Sequence, residues 1–173
     1  MKNKFAIFLI GLFCVVIVCC AILFWIVYPL KYKNHIKRYS NMYNVSSSLV
    51  ASVICVESRY KTDVTSRSGA CGLMQIMPTT FAWICEQLNY KYAQGDIYKP
   101  EANIEAGSFY LSYLLNKYQN QVYALACYNA GEGVVALWGT ASTFTMDKIK
   151  YSETQTYVNK VQKLMHIYKY RFD

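Results

Sequence analysis

Residues 49–58 read LVASVICVES. Val50, Val53 and Ile54 recur at the spacing of one helix face, and the next step along that stripe is Glu57. A helix that carries a carboxylate along its apolar face must meet its cost, because an ionised group in apolar surroundings is unstable unless paired. Desolvation raises the pKa of such a group. A carboxyl held protonated near neutral pH is what general-acid chemistry requires. The competing reading of Glu57 is structural: a helix-end acid paired with Arg59 or Arg67, or facing water.

Working outward, the chain reads as helical. Ser46–Ser48 supply caps for a helix ending near Ser58. RYKTDVTSRSGACG, residues 59–72, is polar and glycine-bearing, hence a loop. LMQI (73–76) is expected to form a short helical turn. Pro78 and Thr79 open a helix through Leu88, and Pro100 suits a first helical position. Ile104, Leu111, Leu114, Leu115 and Tyr118 then form a helical stripe. Val122 to Tyr128 is a short apolar helix closed by NAG at 129–131. Ser152-Glu153-Thr154-Gln155 fits a capping box before a last helix marked by Val158, Val161, Leu164 and Met165. Sustained alternation is absent, so the expected fold class is all-α.

Residues 5–28 contain no charged side chain. A spanning helix needs roughly 20 apolar residues, so this stretch is long enough, and no small-x-small cleavage site follows it. Cys19 and Cys20 lack the small neighbours of a lipoprotein signal. The expected organisation is a membrane anchor at 1–30, a juxtamembrane basic linker at 31–40 and one domain at 41–173. The net charge of +8 is local: residues 1–39 hold six Lys and Arg and no acid, and residues 40–173 hold twelve against ten acids. A nearly neutral domain argues against nucleic acid as partner, whereas basic residues beside a span favour anionic headgroups. Counted on both flanks, the charges favour a domain on the cytoplasmic side.

Cysteines at 14, 19, 20, 55, 71, 85 and 127 show no CxxC, and His35 and His166 stand far apart, so no metal site is expected. Outside a cell the four domain cysteines could form two disulfides; as buried thiols they would pack like small apolar residues.

Four blocks then occur in order: Glu57-Ser58; SRSGACGLMQIMPTT (66–80); ALACYNAGEG (124–133); and ETQTYV (153–158). This series resembles the lytic transglycosylase domain of the soluble-lytic-transglycosylase type, related to goose-type lysozyme, over residues 41–170. The resemblance implies a lysozyme-like helical domain with a glycan cleft. Its implied substrate is the peptidoglycan strand, cut at the β-1,4 bond between N-acetylmuramic acid and N-acetylglucosamine, with a 1,6-anhydro end as product and no cofactor. Glu57 takes the position of the acid that later acts as base. Ser66, Ser68, Gln75, Met77, Tyr128, Asn129, Glu153 and Tyr157 take substrate-binding positions. Because that substrate lies outside the cytoplasmic membrane, the resemblance sets aside the charge count and puts the domain on the wall side of a single span. Two rivals remain open: a muramidase hydrolysing the same bond, with Asp63 the nearest second carboxylate in sequence, and a glycan-binding protein without catalysis.

Overall fold

The computed structural model describes residues 2–89 and 93–172. Its α-helices are α1 (Lys2–Val27), α2 (Lys33–Met42), α3 (Ser47–Ser58), α4 (Pro78–Gln87), α5 (Pro100–Tyr118), α6 (Gln121–Ala130), α7 (Glu132–Ala136) and α8 (Ser152–Phe172). Among the described residues no strand forms; only isolated bridges join Thr65 to Cys71 and Cys71 to Ile76. The chain divides into two units, Met1–Leu30 and Lys31–Asp173.

In the first unit α1 runs for 26 residues. Its stretch Ile10–Val27 has a mean hydropathy of 3.1, and none of its residues is buried within the protein. At 1.5 Å per residue the helix is about 39 Å long, enough to cross a hydrocarbon core about 30 Å thick.

The second unit is built around α3. Leu49, Val50, Ala51, Ser52, Val53, Ile54 and Cys55 are all buried, as expected of a helix apolar around most of its circumference. Full burial of each large apolar side chain is worth about 1.5–3 kcal/mol. The Ser46 hydroxyl caps the helix by accepting from the Leu49 N–H at 3.1 Å. The end is set by Arg59 in the left-handed region (φ 51°), its N–H returning to the Cys55 carbonyl. Helix α8 packs on α3 through buried Tyr157, Val158, Val161 and Tyr168. The last residues of α3 share a cavity with the first turns of α8, and Ser46–Ser48 share one with Met165, Lys169 and Phe172. The two helices are therefore antiparallel.

The basic stretch after residue 30 is helical as α2. Ile36, Tyr39 and Ser40 on one face are buried, and the Tyr39 hydroxyl donates to Glu101 at 2.9 Å. Residues 71–76 form a tight turn and not the helical turn expected for LMQI: Cys71 and Ile76 exchange both backbone hydrogen bonds, and Gln75 is left-handed at φ 47°. The expected capping box also fails to close. Ser152 is already helical, and the Gln155 amide reaches the Met146 carbonyl at 3.4 Å. Among the described residues no disulfide joins the four domain cysteines, and Cys55, Cys71 and Cys127 are buried.

One side chain fixes the long loop between α3 and α4. Asn103, fully buried in α5, accepts from the Met74 N–H at 2.7 Å and donates to the carbonyls of Ile97 at 2.6 Å and Cys71 at 3.1 Å. Gly72 (φ +77°) lies against this amide, where an added Cβ would meet the Asn103 side chain and come within 2.8 Å of the Ile97 carbonyl. Replacing Asn103 by Leu keeps the volume but leaves a buried donor and acceptor unmatched. The expected loss is about 2–4 kcal/mol in urea unfolding, since each orphaned group costs about 1–3.

Candidate active site

Glu57 occupies the last turn of α3, one turn beyond the fully buried Val53 and Ile54. Its half-buried side chain opens into a cavity of about 380 Å³, shared with Val56, Asn129, Ser152, Glu153, Thr156, Tyr157 and Lys160. A neighbouring cavity of about 440 Å³ is also lined by Asn129, Ser152 and Glu153. The two run together as a groove between the end of α6 and the start of α8.

Burial pushes the Glu57 carboxyl up to about 7; the Tyr157 hydroxyl pulls it down, and the negative charge of Glu153 adds a smaller upward push. Tyr157 is buried, and its hydroxyl makes no hydrogen bond of ordinary geometry. Its influence on Glu57 is that of a nearby dipole that has not closed onto an acceptor. Burial and the Glu57 charge hold the Tyr157 phenol protonated.

Tyr128, in α6, is held protonated by burial first and by Glu57 second. Its hydroxyl donates to the Met74 carbonyl at 2.9 Å, so the phenol latches α6 to the loop that Asn103 anchors. The next residue, Asn129, accepts from the buried Thr154 hydroxyl at 2.8 Å, tying the end of α6 to the first turn of α8.

Of the residues singled out in the sequence, Glu57, Asn129, Glu153 and Tyr157 line one cavity, with Tyr128 beside the acid. Glu153 is exposed at the start of α8, where a helix N-terminus favours negative charge. Ser66 and Ser68 bond to each other at 2.9 Å, and Ser66 also accepts from the Ala70 N–H. The Gln75 amide donates to the carbonyls of Gly72 at 2.8 Å and Val64 at 3.1 Å. Met77 is 39 % exposed ahead of α4. These four shape the loop and do not line the Glu57 cavity. Asp63 is exposed and does not line it either. Thr154, Thr156 and Lys160 escaped notice, although Thr154 and Thr156 lie inside the ETQTYV block. An aromatic wall also escaped notice. Tyr110 packs on Tyr128 with ring centres 5.5 Å apart, and with Trp83, Tyr113 and Glu132 it lines a further cavity of about 400 Å³. Among the described residues no three His, Cys, Asp or Glu are grouped to hold a metal.

A helical domain with a desolvated acid lining a groove between helices is a lysozyme-like arrangement. The transglycosylase SLT domain model matches residues 34–151, and the chain belongs to that family. The soluble lytic murein transglycosylase of Escherichia coli K12 is 33% identical over 152 residues, covering 83% of this chain and 24% of that protein. Membrane-bound lytic murein transglycosylase C of Photorhabdus laumondii is 32% identical over 134 residues, covering 71% of this chain and 36% of that one. The lytic transglycosylase Slt of Pseudomonas aeruginosa, solved as an inactive Glu-to-Gln mutant, superposes with a TM-score of 0.79 at 28% identity, over 86% of this chain and 25% of that chain. The 70 kDa soluble lytic transglycosylase of E. coli, also solved in complex with bulgecin A, gives 0.76 at 32% identity, over 83% and 25%. This chain thus spans about a quarter of the length of the soluble relatives it matches.

The raised Glu57 pKa has a stability consequence of definite sign. Between its ordinary value of 4.5 and about 7 the folded protein binds a proton that the unfolded chain has released. Stability therefore falls as pH rises through that window and levels off above it. Glu57→Gln removes the penalty: at pH 8 the variant is expected to be more stable than wild type by about 1–3 kcal/mol in urea unfolding, with the difference vanishing at pH 4. Tyr157→Phe deletes the dipole that lowers the acid's pKa. Its carboxyl, followed by carbon NMR, is expected to titrate above the wild-type value with the melting temperature unchanged or slightly raised.

Proposed function

We propose that this chain is a membrane-anchored peptidoglycan lytic transglycosylase. It cleaves the β-1,4 bond between N-acetylmuramic acid and N-acetylglucosamine and leaves a 1,6-anhydro end. The observation that carries the reading is Glu57, a carboxyl pushed to about 7 in the lining of a groove. Near neutral pH it populates both the acid form that the first step consumes and the base form that the second step needs.

In the first step Glu57 gives its proton to the glycosidic oxygen as the bond from that oxygen to the anomeric carbon breaks. The substrate's acetamido group shares the positive charge at that carbon. In the second step the Glu57 carboxylate removes the proton of the sugar's own 6-hydroxyl, whose oxygen bonds to the anomeric carbon. The proton is back on Glu57 and no water is consumed. An intramolecular nucleophile brings a high effective concentration, so a second carboxylate to activate water is unnecessary, unlike in most glycosidases. Asn129, Glu153, Tyr157 and Tyr128 hold the sugar beside the acid; Ser66, Ser68, Gln75 and Met77 act through the loop they shape. The printed names of relatives, murein transglycosylases soluble and membrane-bound, support the substrate and the reaction. One such relative is inactive as a Glu-to-Gln mutant. Helix α1 supplies the anchor, with residues 41–173 as the catalytic domain on the wall side of the cytoplasmic membrane.

Hydrolysis of the same bond is the second reading. What favours it is Glu153, which shares the cavity with Glu57 and could activate a water. Mass spectrometry of purified peptidoglycan after incubation separates the two. Anhydro-muropeptides from the wild type and none from Glu57→Gln are expected. Products carrying an added water, lost in Glu153→Gln, would make the protein a hydrolase; binding without any cut would make it a glycan-binding protein. The rate is expected to decline above pH 7 as the Glu57 proton is lost, and Tyr157→Phe is expected to move that decline to higher pH.

A further inference from the structure

The antiparallel pair α3 and α8 has two ends. One carries Glu57 and the groove. At the other, the last turns of α8 meet α2. The Lys33 ammonium donates to the Arg171 carbonyl at 2.6 Å and lies 5.5 Å from the centre of the Phe172 ring. Lys37, one turn further along the same face of α2, lines with Lys169, Met165 and Phe172 a groove of about 570 Å³. Tyr170 stands between Lys169 and Arg171 and is 83 % exposed. Neither α2 nor α8 beyond Glu153 contains an acidic residue. Arg38 turns away to Glu101 at 3.3 Å and takes no part.

We propose that this end of the domain, formed by α2 and the last turns of α8, is a docking face for the anionic headgroups of a lipid surface. Charge complementarity is the first argument: Lys33, Lys37 and Lys169 present positive charge with no carboxylate on their own elements. Composition is the second, since exposed Tyr and half-buried Phe beside Lys and Arg suit the headgroup layer, where an aromatic ring and a cation are both at home. Chain length is the third. Lys33 follows Val27 by six residues, a tether of at most about 20 Å, so a bilayer that holds α1 is always within reach of α2. Glu153 and Lys169 are sixteen residues apart on α8, about 24 Å along its axis. Docking by this face therefore holds the Glu57 groove at a set height above the headgroups. The proposal rests on the anchoring of α1 proposed above, but on neither the substrate nor the reaction.

The test is hydrogen–deuterium exchange on the full chain in nanodiscs, one set of phosphatidylcholine alone and one containing half phosphatidylglycerol. Several-fold slower exchange in peptides covering 33–42 and 163–172 is expected only on the anionic discs. It should be lost in Lys37→Glu/Lys169→Glu and at about 1 M salt, where screening shortens to about 3 Å. Exchange in the α3 and α5 peptides reports whether the variant is folded; if it is not, the headgroup and salt arms still decide. Equal protection on both discs, or none on either, would overturn the proposal. So would the same protection produced by inorganic phosphate in neutral detergent, which would make this a site for a soluble anion.

Discussion

The amide of Asn103 is the constraint on which the site depends. Residues 59–77 contain no helix of their own, yet their backbone groups must be satisfied once they cover the core. Asn103 supplies one acceptor and two donors from a rigid helix and fixes the turn at 71–76. That turn presents the Met74 carbonyl to Tyr128 and the Leu73 carbonyl to Ser58, at 2.8 Å, one residue after the acid. A buried amide thus relays the position of α5 to α6 and to the end of α3, and α8 is tied to α6 through Thr154 and Asn129.

Glu57 illustrates local conflict retained at a working site. The rest of α3 follows the rules of a buried helix, with apolar residues around its circumference and a serine cap. Its last turn breaks them with a carboxyl that folding desolvates. Local choices that disagree with the fold are expected where function resides, and here the disagreement falls on one side chain whose neighbours, Tyr157 and Glu153, pull its proton affinity in opposite directions.

Much of this was legible in the sequence. The stripe through Val50, Val53 and Ile54 gave α3 and pointed at Glu57; Pro78 and Pro100 marked the starts of α4 and α5. The ordered blocks carry Glu57, Asn129, Glu153 and Tyr157, which the fold brings to one cavity. What stayed hidden has physical reasons. Helix α2 contributes only Ile36 and Tyr39 as large apolar contacts within a polar stretch, too few for a visible period. The LMQI turn is shaped by Asn103 from outside, and Gln75 adopts a left-handed conformation that its type does not announce. Asn103 and Thr154 are polar residues buried by tertiary partners, and no periodicity marks such positions. The aromatic wall of Trp83, Tyr110 and Tyr113 comes from two helices, so it exists only once α4 meets α5.

The separation in sequence between α3 and α8 bears on how the protein is made. Helix α3 leaves the ribosome first, and the 21-residue α8 follows roughly a hundred residues later. Contacts so distant along the chain form late. Until α8 docks, Glu57 has neither Tyr157 nor the wall that dries its surroundings, and it remains an ordinary surface carboxylate. The raised proton affinity of Glu57 is therefore a property of the packed α3–α8 pair and not of α3 alone.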